Sequence, residues 1–295
     1  MAMARGKFPS WLRRRIVSSP DGERVRRILS ELALETVCRN AHCPNLHECY
    51  ARGTATFLLM GRMCTRSCRF CAVEHGEPPP LDANEPERIA EAVVRLALRH
   101  VVLTSVTRDD LPDGGAEHFA KTIRAIRRRS DAVLEVLTPD FGGQLDAVDR
   151  VLDAGPQIFN HNVETVPRLY SVVRPQAVYE RSLAVLEHAA RRGISTPKSG
   201  FMVGLGESHE EVLLLMRDLN RAGVMVVTIG QYLSPSPEHL PVERFVPPEE
   251  FEELAREGGL MGFAAVYAGP FVRSSYNALE VYQQVVSETG RCDTK

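Results

Sequence analysis

Residues 60–73 read "MGRMCTRSCRFCAV" and carry Cys64, Cys68 and Cys71 at C-x3-C-x2-C spacing. Three thiolates on so short a loop can hold three irons of a [4Fe-4S] cube and leave the fourth iron open to a small molecule. A closed structural zinc site takes four ligands, and the fourth would have to be recruited from afar. Zinc, or unpaired structural thiols, is the competing reading. A second group, Cys38, Cys43 and Cys49 in "CRNAHCPNLHEC", has C-x4-C-x5-C spacing. Taken alone it suits zinc, completed by His42 or His47, as well as it suits iron and sulfide. Cys292 stands apart near the C-terminus and is expected to be a bystander. An odd number of cysteines without a secretion signal argues against a disulfide framework. Reduced thiols this crowded point to metal.

The elements that must position these loops are legible as apolar runs alternating with helical periods. Strand-length runs occupy 55–60, 100–106, 132–138, 157–163, 198–204 and 224–230, and 263–269 is a candidate seventh. Between them, Ala116, Phe119, Ala120, Ile123 and Ile126 line one face of a helix. Ser208 and Glu211 read as a capping box, with Gly223 at the end of the same helix. Buried strands joined by helices form parallel βαβ units, and six of them predict an α/β fold, a partial (β/α)6 TIM-like barrel. In such barrels chemistry gathers at the C-terminal ends of the strands. The polar clusters "MGRMCTRSC", "TSVTRDD", "NHNVET", "GLGE" and "GQYLSPS" follow five of the runs. The expected organisation is an N-terminal extension over 1–54 bearing three cysteines, the barrel over 55–269, and a C-terminal extension over 270–295 that reads as a loop and then a helix.

Lys plus Arg number 36 against 38 Asp plus Glu, a formal charge of -2, so no global field calls for a nucleic acid partner. No stretch approaches the roughly 18 consecutive apolar residues of a membrane span. The expectation is a cytoplasmic protein with no membrane or nucleic acid partner. "MAMARGKFPSWLRRRIV" is Arg-rich and loosely like a transit peptide, but it carries Pro9 and runs straight into the domain, which favours a solvated basic arm.

"CTRSCRFC" after a first strand resembles the radical S-adenosylmethionine (SAM) superfamily, whose open iron binds the amino and carboxylate groups of SAM. The C-x4-C-x5-C group beside it resembles the auxiliary cluster of the lipoyl synthase family. "FLLMGRMCTRSCRFCAV", "TSVTRDDLPDGGAEHF", "FNHNVETVPRLY", "FMVGLGE", "LPVERFVPPEEF" and "AGPFVRSSYNA" resemble that family's segments in the expected order, over about residues 35–280. The resemblance implies insertion of sulfur at carbons 6 and 8 of an octanoyl chain that is amide-linked to a lysine of a lipoyl carrier domain. It implies two [4Fe-4S] clusters and SAM: the Cys64, Cys68, Cys71 cluster cleaves SAM to a 5'-deoxyadenosyl radical, and the Cys38, Cys43, Cys49 cluster gives up sulfur. It places a serine oxygen on the second cluster, and the matching residue is Ser275; a hard alkoxide is mismatched to a soft iron–sulfur unit, consistent with an iron that leaves. Ser274 and Ser275 as ordinary loop serines is the alternative.

For SAM, the glycines of "GFMVGLGE" (Gly200, Gly204, Gly206, ahead of Glu207) resemble the superfamily's glycine-containing motif, although a tight turn explains such a stretch equally. Asn162 and Glu164 are candidates for the ribose or methionyl group, and Arg174 and Lys198 for the carboxylate; strand-end salt bridges are the alternative. "TSVTRDD" stands where many superfamily members carry "GGE", which leaves an amine-binding role for Thr107, Arg108 and Asp109 open. The implied partners are octanoylated lipoyl domains of 2-oxoacid dehydrogenase complexes or the glycine cleavage H protein, an electron donor such as ferredoxin or flavodoxin, and an iron–sulfur carrier protein. Arg13, Arg14, Arg15, Arg24, Arg26 and Arg27 would meet an acidic lipoyl domain, or form a solvated face. Biotin synthase draws its extra cysteines from within the barrel, whereas residues 72–291 contain none; methylthiotransferases space theirs far apart and add an RNA-binding module. A non-catalytic zinc or iron–sulfur module is the alternative outside enzymes.

Overall fold

The computed structural model describes residues 9–13, 19–51 and 55–275. Three helices lead in: α1 (Pro20–Glu31), α2 (Val37–Asn40) and α3 (Leu46–Ala51). Strands and helices then alternate through β1 (Thr56–Leu59), α4 (Glu85–Arg95), β2 (His100–Ser105), α5 (Ala116–Arg127), β3 (Val133–Leu137), α6 (Leu145–Leu152) and β4 (Ile158–Asn160). The chain continues through α7 (Tyr170–Val173), α8 (Tyr179–Arg192), β5 (Thr196–Val203), α9 (His209–Arg221), β6 (Val226–Gln231), α10 (Pro248–Met261) and β7 (Ala265–Gly269). All ladders are parallel and follow chain order from β1 to β7. Among the described residues no ladder joins β7 back to β1, so the barrel is partial, with seven strands where six units and a candidate seventh are expected.

Period-two alternation divides each strand between two environments. Phe57, Leu59, Val101, Leu103, Leu134, Val136, Val227 and Ile229 are fully buried in the apolar clusters. Their neighbours Thr56, His100, Val102, Thr104, Thr228 and Gly230 face inward and are smaller or polar. Such barrels are ordinarily filled by branched side chains; here the inward residues instead line a cavity. Outside, α4 packs on α5, α5 on α6, α6 on α8, α8 on α9 and α9 on α10.

The helix signals in the sequence hold. Ala116, Phe119, Ala120, Ile123 and Ile126 are all buried on α5. Glu211 N donates to Ser208 Oγ (3.2 Å) and Ser208 N to a Glu211 carboxylate oxygen (2.8 Å), and Gly223 has φ 79° past the helix end. The strand bounds shift by one to three residues: β4 stops at Asn160, where His161 N donates to Lys198 O, β5 starts earlier, at Thr196, and β6 and β7 start later, at Val226 and Ala265. The helix expected within 270–295, Cys292, Arg14 and Arg15 lie outside the described residues.

The free edge of β1 is occupied by the N-terminal extension. Leu58 N donates to Glu35 O (2.9 Å), and Thr36 forms an antiparallel bridge with Phe57. Thr36 Oγ1 and Tyr50 OH, both buried, share a 2.8 Å hydrogen bond that fixes α3 beneath this edge. Residues 271–275 come from the other side: Asn45 Nδ2 donates to Phe271 O (2.7 Å), and Thr56 Oγ1 to Ser275 Oγ (2.9 Å).

Candidate functional site

At the C-terminal end of β1 the chain is turned by Met60 and Gly61, both at positive φ (66° and 85°). Met60 is no glycine, and its strained backbone is held by the Glu85 carboxylate, which accepts from Met60 N at 2.9 Å. The following loop closes on itself: Cys64 N donates to Glu74 O, Gly76 N to Cys64 O, and Cys71 N to Cys68 O. Two backbone amides, Arg66 N (3.4 Å) and Thr107 N (3.2 Å), donate to Cys64 Sγ. Such N–H···S contacts tune the potential of a thiolate-held cluster.

A buried ion network fixes this loop. The Arg66 guanidinium, in the middle of "CTRSC", donates bidentately to Asp109 (2.7 and 2.8 Å) and again to Asp140 (2.7 Å). Asp140 is 1% exposed, and although burial opposes ionisation, Arg66 holds its carboxyl down to about 2. Thr65 Oγ1 donates to Thr107 O and accepts from Asp109 N. "TSVTRDD" is therefore a latch on the cysteine loop. Arg108 pairs with Asp110 (2.7 Å), and of Thr107, Arg108 and Asp109 only Thr107 lines the cavity. Arg66→Lys removes the fork that reaches two carboxylates at once. It is expected to lower apo stability by about 2 kcal/mol, the scale of one charged hydrogen bond, and to lower iron retention on the loop, read by urea unfolding and iron analysis.

The second cysteine group lies at the opposite end of β1. Cys38 on α2 is buried against Cys43, and its thiol meets the backbone and hydroxyl of Thr56, the first residue of the strand. The same Thr56 hydroxyl donates to Ser275. With a rise of about 3.3 Å per residue, β1 separates its two ends by roughly 10 Å. Cys38, Cys43, Cys49, Cys64, Cys68, Cys71 and Ser275 all line one cavity of about 1010 Å³. Among the described residues, no three His, Cys, Asp or Glu side chains converge closely enough for a single ion. Three thiols on each side of the cavity, with the Ser275 hydroxyl beside the second set, are a donor set that suits iron–sulfur clusters.

Burial pushes the Cys71 thiol up to about 12 and the Cys38 thiol up to about 11; burial also raises Cys68, against the pull of Arg174. Thiols so raised keep their protons at neutral pH, and each must lose one to ligate. Iron loading of the apo protein is therefore expected to rise steadily from pH 7 to pH 9 and to release protons, measured by anaerobic titration in weak buffer. Loading independent of pH would contradict it.

The SAM candidates divide. Asn162, Glu164 and Arg174 line the cavity. Asn162 Nδ2 donates to Glu164 (3.0 Å), and Asn162 Oδ1 is buried without a partner. Glu164 sits at φ 65°, and burial raises its carboxyl despite Arg174. Arg174 Nη1 donates to Asn162 O (3.0 Å), Val163 O (3.2 Å) and Tyr170 OH (3.2 Å), while its Nε is unpartnered. Lys198, Gly204 and Glu207 do not line the cavity. Lys198 is wholly buried and its Nζ donates to Glu135 (2.8 Å), also wholly buried, so its amine is already engaged. Gly204 has φ 97°, and a Cβ there would stand 2.2 Å from Gln231 Nε2; the Glu207 carboxylate accepts from Gly204 N and Leu205 N and caps that turn. Gly200 is small because Thr228 Oγ1, Asn162 Oδ1 and Ser274 Oγ would lie 2.4, 3.0 and 3.1 Å from a Cβ.

A profile of the radical SAM superfamily matches residues 58–219. A lipoyl synthase of Chlorobium phaeovibrioides is 56% identical over 92% of this chain and 96% of its own. One of Caldanaerobacter subterraneus subsp. tengcongensis is 55% identical over 92% and 95%. The chain belongs to the lipoyl synthase family. Among solved structures, Streptococcus suis SuiB bound to S-adenosylmethionine has a TM-score of 0.53 at 12% identity, covering 73% of this chain and 49% of that one. Methylornithine synthase has 0.50 at 14%, covering 78% and 64%. These two speak for the fold alone.

As a member of the lipoyl synthase family the chain is a radical SAM sulfurtransferase and uses a [4Fe-4S] cluster and SAM. That membership sets aside the non-catalytic module and the biotin synthase and methylthiotransferase readings. Sequence reasoning passed over Thr56, Arg66, Asp140 and the contacts of Ser274. Arg66 carried a signal, a charged residue inside a ligand loop that needs a counter-ion when buried. Thr56 carried none, because nothing marks an inward threonine as the meeting point of two distant segments.

Proposed function

We propose that the chain inserts sulfur at carbons 6 and 8 of an octanoyl group carried on a lysine of a lipoyl domain. The observation that carries this is the convergence of all seven candidate ligands on one cavity with roughly a strand's length between the two sets. A [4Fe-4S] cluster on Cys64, Cys68 and Cys71 would supply reductive cleavage of SAM, and a second on Cys38, Cys43, Cys49 and Ser275 the sulfur.

This chain's own residues bind and exclude. Asn162 Oδ1 and Arg174 Nε are buried polar atoms without protein partners, suited to a ribose hydroxyl or the methionyl carboxylate. Glu164, pushed toward its neutral form, would accept from the SAM ammonium once that charge offsets its burial. Val102, Leu137, Phe201 and Met202 give the cavity an apolar wall for an alkyl chain and keep water from a reactive carbon. Arg108, Asp109 and Lys198 hold the scaffold rather than the substrate.

The partners read from this activity are lipoyl domains of 2-oxoacid dehydrogenases or the glycine cleavage H protein, a ferredoxin or flavodoxin, and an iron–sulfur carrier. Of the basic residues proposed to meet such a partner, Arg27 pairs with Glu31 (3.8 Å), while Arg24 keeps its charge as it donates to Arg95 O (2.7 Å). Among the described residues no helix is long and apolar enough to cross a membrane.

The test is mass spectrometry of an octanoyl-lysine peptide after incubation with reconstituted enzyme, SAM and dithionite. The expected product carries two added sulfurs. SAM consumed with the peptide unchanged overturns the reading.

A further inference from the structure

The segment Phe271–Ser275 runs through the barrel interior, and glycines make room for it. A Cβ at Gly230 would lie 2.3 Å from Val272 O and 3.0 Å from an Arg273 guanidinium nitrogen; one at Gly200 would lie 3.1 Å from Ser274 Oγ. Ser274 and Ser275 lie in a turn, and their hydroxyls reach different partners. Ser275 Oγ accepts from Thr56 Oγ1 at 2.9 Å, beside Cys38. Ser274 Oγ accepts from Asn162 Nδ2 at 2.7 Å, and the other hydrogen of that amide goes to Glu164. Asn162, a cavity-lining residue, thus has both donors engaged and its Oδ1 buried without a hydrogen-bond partner.

We infer that Ser274 is a positioning residue that couples the two ends of the cavity: it ties the Asn162 amide to the strap that delivers Ser275. This rests on the reading of Ser275 as a ligand of the second cluster and of Asn162 as a SAM contact. A ligand on Asn162 Oδ1 immobilises the amide, the amide holds Ser274, and the strap then holds Ser275 against Thr56. By linkage the effect is reciprocal, so SAM tightens the hold on the Ser275 iron and an intact second cluster tightens SAM. The Ser274–Asn162 link is one neutral hydrogen bond, which sets its share of the coupling at roughly three- to tenfold.

The experiment uses full-length, anaerobically reconstituted protein. The rate at which a chelator removes iron is followed with and without saturating SAM, alongside equilibrium SAM binding. In the wild type, SAM is expected to slow loss of the most labile iron roughly three- to tenfold. Ser274→Ala is expected to keep its iron content and its SAM binding in the absence of the second cluster, yet to lose the SAM effect on iron release. Gly200→Ala, whose Cβ would crowd Asn162 Oδ1 as well as Ser274 Oγ, is expected to weaken both SAM binding and the effect. A SAM effect undiminished in Ser274→Ala, or no SAM effect in the wild type, overturns the coupling. Ser275→Ala is the separate control: iron content and lability equal to wild type would overturn the ligand reading itself, and the coupling with it.

Discussion

Cys38→Ala protein, reconstituted anaerobically, is expected to cleave SAM within roughly threefold of the wild-type rate and to form no lipoyl product. Cys68→Ala is expected to lose both activities. The asymmetry follows from placement: the Cys38 thiol meets Thr56, the first residue of β1, whereas Cys68 is in the loop beyond its last. At saturating SAM the coupling through Ser274 changes affinity and not the cleavage rate, so the two losses remain separable. In the proposed reading Cys68 is one of three thiolates that would leave an iron open for SAM, and with it gone that site would not be held. Cys38 lies beside Thr56, which donates to Ser275, and in the proposed reading it would hold the second cluster. Quantifying 5'-deoxyadenosine and peptide product in the same reaction separates the cases. Product from Cys38→Ala at the wild-type rate would show that the sulfur comes from elsewhere.

Lys198→Met is expected to destabilise the fold by about 3–5 kcal/mol, the cost of leaving a buried carboxylate unpaired. Lys198 and Glu135 are both wholly buried, and His100 Nε2 stands 3.3 Å from the second Glu135 oxygen, near enough to attract but not aligned to hydrogen-bond. Burial alone would raise the Glu135 carboxyl; Lys198 and His100 outweigh it and lower it. In the native protein this pairing contributes stability above the unfolded carboxylate range, lost as pH falls through the lowered folded value. Without Lys198, burial dominates and the folded value moves above the unfolded one. The deficit against wild type should thus be largest near pH 7–8 and shrink toward pH 4–5, as Glu135 protonates. Urea unfolding of the apo proteins across that range reads it. SAM affinity of the folded fraction should be unchanged, in contrast to the direct carboxylate contact suggested by sequence.

Lys198 shows where reading the chain alone stops. It has the inward parity of Gly200 and Met202 on β5, so a cavity position was a fair inference, and the sequence shows nothing of depth. The register sets Lys198 opposite Asn160, one strand from Glu135, in a polar layer below the cavity wall. Gly204 and Glu207 fail for a related reason: a glycine-rich turn after a strand looks the same whether it packs Gln231 or a nucleotide. The cysteine spacings were legible because ligand loops are local. The strand and helix alternation was legible because burial imposes its periods. What required coordinates was every contact between segments far apart in sequence: Arg66 with Asp140, Thr56 with Ser275, and Ser274 with Asn162.

Iron and sulfide analysis of the reconstituted protein, with zinc measured alongside, tests most directly whether one cavity joins two cubes. About eight irons and eight sulfides per chain are expected, falling to about four of each when Cys38, Cys43 and Cys49 are all replaced by alanine. About four irons in the wild type, or stoichiometric zinc at either cysteine group, would contradict the account.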